Sequence, residues 1–381
     1  MSSNFYFDFR DVFRAGRMGF KGKKIFTHLL GFLLGYGIYE ILVYLSLSGS
    51  NIIGDFWKTY GLLPVFIFTW KSSIILPTVT IVIMAISALI WFLIYLLFST
   101  AVSKIAIEEL RGDDFYPIKS ALKFAFKYSK ILYLTILGLI GIIIFCIFWP
   151  SLVGLLDLIP KIEQFAEHFG TPLTAFLTIP VYFLSILMIL TIFACIFGIF
   201  LIPSIIAVTE EDTFETIYQL YSTIWNQPWR LVIYNKLLWF IAILGFTIFA
   251  YISIAGLYLA FLPSALLAHQ ESYYFADVIA RSLKIIGAGG FAHLIPGANI
   301  TDISMPWTLD LATFFMFVSF IIIVGIVVSY PMAIFSCGST IIYAILRKKI
   351  DNENMLESKQ EEKSEEKKPG EQKPEEQKSD T

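Results

Sequence analysis

The sequence predicts an all-α polytopic membrane protein with about six transmembrane helices, and three observations carry that class. Of 381 residues, 57% are hydrophobic and only 15% charged, with 17% aromatic, far from the balance of a soluble domain. Six apolar stretches are long enough to cross a hydrocarbon core about 30 Å thick, which takes roughly 20 helical residues. Charge is unevenly placed: residues 351–381 hold 11 acidic and 6 basic residues, against 19 and 22 in residues 1–350. No polar block could bury a soluble core of its own, so a soluble enzyme on a membrane anchor is excluded.

The spans centre on residues 25–47, 78–103, 131–153, 178–207, 233–262 and 311–346. The first exceeds a typical signal-peptide apolar region and reads as a retained helix. Its Gly31, Gly35 and Gly37 give the small-residue spacing that lets helices approach closely. The next segment, 51–77, is apolar but interrupted by Asp55, Lys58, Pro64 and Lys71. It reads as interfacial or re-entrant, with a seventh span as the alternative. Pro203 and Pro331 are the expected bends, and most of the tryptophans fall near span ends, as interfacial anchors do.

Lys and Arg near the span ends set the orientation. The N-terminal segment carries Arg10, Arg14, Arg17, Lys21, Lys23 and Lys24, and the second-to-third connection carries Lys104, Arg111, Lys119, Lys123, Lys127 and Lys130. Arg347, Lys348 and Lys349 follow the last span. The alternate connections hold one or two each. Six spans with both termini cytoplasmic satisfy these counts, in a bacterial inner membrane.

A short pattern precedes each outgoing span at a spacing near 100 residues: Asp11 and Phe13, Asp113 and Phe115, Asp212 and Phe214. This suggests a threefold internal repeat within a transmembrane domain of residues 1–350, with units of about 5–103, 104–207 and 208–346. Each Asp is placed to cap a helix and each Phe to insert near its entry. The stretch that follows reads as a cytoplasmic amphipathic interfacial helix. At about 100° per residue, Arg10, Arg14, Arg17, Lys21 and Lys24 make one basic stripe, and Lys119, Lys123, Lys127 and Lys130 another. These lysines and arginines are the expected contacts to anionic phospholipid headgroups. In the third copy Phe214, Ile217, Tyr218, Tyr221, Ile224 and Trp225 form an apolar stripe instead. The segment around Asp277 and Lys284 looks like a degenerate fourth copy in an outer loop and is read as coincidence.

Pro203 to Ala207, the acidic run Glu210 to Asp212, Phe214, Ser222 and the Pro228-Trp229-Arg230 triplet carry a loose resemblance over about a third of the chain. They resemble uncharacterised multipass bacterial families related to the membrane domain attached to some glycerophosphodiester phosphodiesterases. The opening from Phe9 to Ala15 resembles the start of long bacterial members. Tyr221 and Thr223 beside Ser222 depart from that pattern, and the phosphodiesterase barrel has no counterpart. The resemblance implies a membrane module without that enzyme activity.

The residues carry little chemistry. His28, His168, His269 and His293 lie out of helical reach of one another, and no P-loop or Gly-x-Ser-x-Gly elbow occurs. Cys146, Cys195 and Cys337 sit singly in apolar runs. No metal, cofactor, catalytic or nucleic-acid site is expected. Asn299-Ile300-Thr301 is a chance-level glycosylation triplet, and Gly287, Gly289 and Gly290 make a glycine-rich turn without a preceding strand. Glu40, the one carboxylate deep in a span, is either a proton or cation site, a partner for Lys236, or a structural polar contact near the outer surface. Residues 351–381 are expected to be a disordered cytoplasmic tail. The functional expectation is a non-enzymatic accessory or membrane-organising protein, acting on the bilayer or in support of a membrane-protein partner, with a transporter or lipid translocator as the alternative.

Overall fold

The computed structural model describes residues 5–62, 64, 75–157, 171–267, 274–285, 306–352 and 354–357. Among them the chain is helical and contains no strand. Two short helices, α1 (Phe9–Val12) and α2 (Arg14–Gly19), lead into α3 (Gly22–Leu47) and the short α4 (Ile53–Tyr60). Then come α5 (Thr78–Leu110), α6 (Ile118–Asp157), α7 (Thr171–Phe176) and α8 (Thr178–Thr209). The chain continues through α9 (Thr213–Asn226), α10 (Pro228–Leu267), α11 (Tyr274–Ile285) and α12 (Trp307–Asp351). Six of these, α3, α5, α6, α8, α10 and α12, are long and apolar enough to cross a membrane.

The spans pair in sequence order. α3 packs along α5, α6 along α8 and α10 along α12, and the second members α5, α8 and α12 pack on one another. Lipid tails are as apolar as Leu, so these contacts rest on close packing rather than on water exclusion. Gly31 and Gly35 show how: a Cβ at Gly31 would lie 2.6 Å from the Phe98 ring, and one at Gly35 would run into Trp91. Gly37, the third small residue of that span, faces open space. α10 touches mainly α12 and the N-terminal helices, and most of its apolar side chains, from Trp239 to Leu259, face outward where lipid would lie.

The ends of α3 (first residues), α5 (last), α6 (first), α8 (last) and α12 (last) gather at one charged end. α5 stops there with Gly112 at φ +102, while the Asp113 N–H donates to Glu108 O and the Gly112 N–H to Glu109 O, a closure that needs a left-handed residue. At the opposite end α4 buries Phe56 and Tyr60 against Tyr39, Val43, Leu47 and Met84. Tyr36 donates to Leu62 O, Tyr44 to Gly61 O, and the Leu62 N–H to Ile285 O of α11. The first part of 51–77 is thus a short helix against α3. Residues 63 and 65–74, the triplet at 299–301, the glycine turn at 287–290, His168, His269, His293 and the tail from 358 lie outside the described residues. Helices α8 and α12 run unbroken through Pro203 and Pro331.

The N-terminal expectation needs correction. Residues 9–24 do not form one amphipathic helix, because the chain breaks after Val12 and again at Phe20. Val12, Ala15, Met18 and Gly19 are buried, with Gly19 against Ile334 and Gly16 near Ile241, so the segment is wedged between α10 and α12. At the second occurrence of the Asp–Phe pattern the expected interfacial helix is not separate either: Lys119 to Lys130 are the first turns of α6 itself. Only at the third occurrence does the expected segment, α9, form a helix of its own.

Candidate polar seam at the charged end

Two ion clusters and a file of buried hydroxyls meet where α3, α5, α8 and α12 converge. Lys24 is fully buried, and its Nζ lies 2.9 Å from Glu109 Oε2 at the end of α5. Glu109 Oε1 also takes Lys21 at 3.1 Å, and Lys21 reaches Asp114 at 2.8 Å. Lys23 donates to the Asp114 carbonyl at 2.6 Å. The arrangement sets cations near the negative C-terminal dipole of α5 and a carboxylate near the positive N-terminus of α3. Burial lowers the Lys21 ammonium, but Asp114 and Glu109 outweigh it and hold it above its ordinary value. The Lys21 hydrogen bond and charge hold the Asp114 carboxyl below its own.

The Asp114 contribution is present above the ordinary Asp value and is lost as pH falls through the depressed one; that of Lys21 is lost only as pH rises through the elevated Lys value. Asp114→Asn should therefore shift the unfolding midpoint by a constant amount from about pH 5 to about pH 9. The difference should vanish in acid. A shift that grew on acidification would contradict the assignment.

The second cluster centres on Lys104, nearly buried on α5. It reaches Glu108 at 2.8 Å and Glu210 at 2.6 Å, and lies 4.8 Å from the Phe124 ring centroid. Glu210 ends α8 in a left-handed conformation (φ +60). Arg111 holds Glu108 at 3.1 Å and donates to the Met355 carbonyl, which ties the segment after α12 to α5. A cleft of about 480 Å³ opens beside it, with Arg111, Arg347, Asp212, Glu215 and Gln219 among its walls.

Below the ions, Ser103 Oγ lies 3.3 Å from Ser204 Oγ, and Thr340 donates to Ser204 at 3.2 Å. One hydroxyl from each of α5, α8 and α12 meets at this point. Ser336 Oγ sits 2.9 Å from both His28 Nε2 and Ser99 Oγ and donates back to Met332 O at 3.1 Å. These groups are buried, and the His28 ring stacks on Tyr95. A Ser–His contact is the first element of a nucleophile–base pair, but neither described cavity is lined by these residues. Its evident physical role is to satisfy polar groups between packed helices.

The residues singled out from sequence distribute as follows. Lys119, Lys123, Lys127 and Lys130 are all exposed along one face of α6, opposite buried Ala121 and Ala125, without ion-pair partners among the described residues. Arg10 and Arg17 are exposed, whereas Arg14 faces buried Asp11 at 3.1 Å. Lys21 is committed to Glu109 and Asp114, which corrects its expected headgroup role. Asp11 is not a cap: Asp8 caps α1 by accepting from the Arg10 N–H, and Asp11 is buried inside that helix. Asp113 accepts from the Phe115 N–H in a turn three residues before α6, because Pro117 directly precedes that helix. Asp212 does cap its helix, accepting from the Glu215 N–H at 2.9 Å. Phe13, Phe115 and Phe214 are all outward-facing.

α9 turns part of its apolar stripe outward. Thr216, Gln219, Leu220, Thr223 and Ile224 are buried, while Phe214, Tyr218 and Trp225 of the apolar stripe face outward. Glu40 is 8% exposed, and its Oε1 has no hydrogen-bond partner among the described residues. It stands about 27 Å along α3 from the charged end and Lys236 about 12 Å along α10, so the two are not paired. The described residues contain no group of His, Cys, Asp and Glu able to hold a metal.

Sequence reasoning missed the Lys24–Glu109 and Lys104–Glu210 ion pairs and the His28–Ser336 contact. The signal was present in Glu108-Glu109 and Glu210-Glu211, two acidic pairs closing apolar spans where basic residues should dominate. Six long apolar helices, paired and joined by a buried polar seam, define an all-α polytopic membrane protein. Comparisons with protein-family models, curated proteins and solved structures return no match.

Proposed function

We propose that the chain is a non-enzymatic accessory or membrane-organising protein of a bacterial inner membrane, with its charged end and both termini cytoplasmic. Its exposed basic surface contacts anionic phospholipid. The observation that carries this reading is the line of Lys119, Lys123, Lys127 and Lys130, which continues straight into a spanning helix and keeps every ammonium exposed. Phe115, Phe126, Phe214, Tyr218, Trp225 and Trp229 are exposed on the same and neighbouring segments, as aromatic anchors at a headgroup layer would be. Each Lys near an anionic surface contributes about 1 kcal/mol.

A threefold construction, with units near 5–103, 104–207 and 208–346, belongs to the same reading. It is supported by the pairs α3/α5, α6/α8 and α10/α12 and by the meeting of Ser103, Ser204 and Thr340, one hydroxyl from each unit. A relation to the membrane modules named above belongs to the same reading. Glu40, whose buried Oε1 has no hydrogen-bond partner among the described residues, favours the second reading, a transporter or lipid translocator.

The test is the selectivity of the full chain for spin-labelled phosphatidylglycerol over phosphatidylcholine in mixed bilayers, at low and high salt. The parent should prefer the anionic lipid several-fold, and Lys119→Glu/Lys123→Glu/Lys127→Glu should bring the ratio close to one. An unchanged ratio would remove the lipid-contact reading.

A further inference from the structure

A trough of about 540 Å³ runs down the flank of the molecule between α6 and α8, lined by Gly138, Gly141, Ile142, Phe145, Leu187 and Tyr221. Its walls are fixed. α6 and α8 pack together behind it, and the Tyr221 hydroxyl of α9 lies 2.6 Å from Thr191 Oγ1 of α8. Two glycines shape it in different ways. A Cβ at Gly138 would stand 2.9 Å from Ile217, so that glycine admits α9, whereas one at Gly141 would meet nothing within 4 Å and leaves the trough open.

The same face of α6 carries the lysines. At about 100° per residue Lys127, Lys130, Leu134, Gly138, Gly141 and Phe145 fall within an arc of about 80°. Lys127 stands 11 residues before Gly138, and Lys130 11 before Gly141, a rise of about 16 Å in each case. That matches half of a hydrocarbon core about 30 Å thick, the distance from a phosphate layer to the depth of an acyl chain. Neither ammonium has an ion-pair partner among the described residues, and Lys127 Nζ lies 5.0 Å from the Tyr128 ring centroid.

We infer that this face seats one anionic phospholipid, its acyl chain in the trough and its phosphate at Lys127 and Lys130. The assignment rests on the lipid-contact reading and narrows it from a diffuse basic surface to a single site. Charge complementarity selects the occupant: a zwitterionic lipid can fill the apolar trough, but two unpaired ammonium groups above it favour a net negative headgroup.

Native mass spectrometry of the full chain, released from bilayers of equal phosphatidylglycerol and phosphatidylcholine, tests it. The parent should retain one lipid, mainly phosphatidylglycerol. Gly141→Leu and, from the opposite wall, Leu187→Trp should cut retention of both lipids about tenfold while keeping the parent's unfolding midpoint. Lys127→Gln/Lys130→Gln should keep one lipid and lose the preference. An occluding variant that folds and retains lipid like the parent overturns the seat, and a lysine variant that keeps the preference overturns the headgroup assignment. Gly141→Leu leaves the basic surface intact, so failure of the seat is distinguishable from failure of the spin-label selectivity.

Discussion

Glu109→Gln is expected to destabilise the protein by about 3–5 kcal/mol, because it leaves the Lys24 ammonium buried at 0% exposure without its carboxylate. Among the described ion pairs this one is the most buried on both sides, at 0% and 9% side-chain exposure. The Lys24–Glu109 contact gains little over an apolar pair of the same size, since both ions are desolvated to form it, but removing one partner alone is costly. Lys24→Met/Glu109→Leu should therefore recover most of the loss seen in Glu109→Gln. The check is the unfolding midpoint of each purified variant in one detergent. A single variant as stable as the parent, or a double variant worse than the single, would contradict the burial of this pair.

Gly35→Leu should cost about 1–3 kcal/mol or more through overpacking, since its Cβ alone would run into Trp91 and neither α3 nor α5 can retreat along their long shared contact. Gly37→Leu, two residues away in the same span, should be close to neutral because its Cβ meets nothing. The contrast separates packing from helix propensity, which favours Leu over Gly at both positions by about the same amount. Equal midpoints for the two variants would remove the claim that Gly35 sets the approach of α3 to α5.

The six spans were legible because an apolar run of twenty or more residues has few other stable structures, and each such run here became a helix. Side-chain pairing was far less legible. Arg10, Arg14, Arg17, Lys21 and Lys24 read as one stripe on an ideal helix, yet the chain breaks at Phe13 and Phe20, and Lys21 and Lys24 turn inward to Glu109. Only tertiary contact decides between a headgroup and a carboxylate 85 residues further along the chain. Lys119 to Lys130 kept the stripe because α6 continues unbroken beneath it and no carboxylate among the described residues pairs with it. The Asp pattern misled in two of its three places: Asp8 and Pro117 compete for the helix starts that Asp11 and Asp113 would otherwise define, whereas nothing competes with Asp212. Ser103, Ser204, Ser336 and Thr340 gave no warning, because a hydroxyl in a span commonly bonds its own backbone, and meeting across helices depends on their register.

Placement of the charged end at the inner, anionic leaflet is the central claim, and cysteine labelling in intact cells measures it directly. Phe115→Cys lies at the charged end and Ile75→Cys at the opposite end, at positions 93% and 89% exposed, whereas native Cys146 and Cys337 are buried and Cys195 is half-buried. With the native cysteines replaced by Ala, a membrane-impermeant maleimide should label Ile75→Cys in intact cells and Phe115→Cys only after the membrane is opened. Labelling of Phe115→Cys in intact cells would put the lysine face on the wrong side of the bilayer and contradict the account.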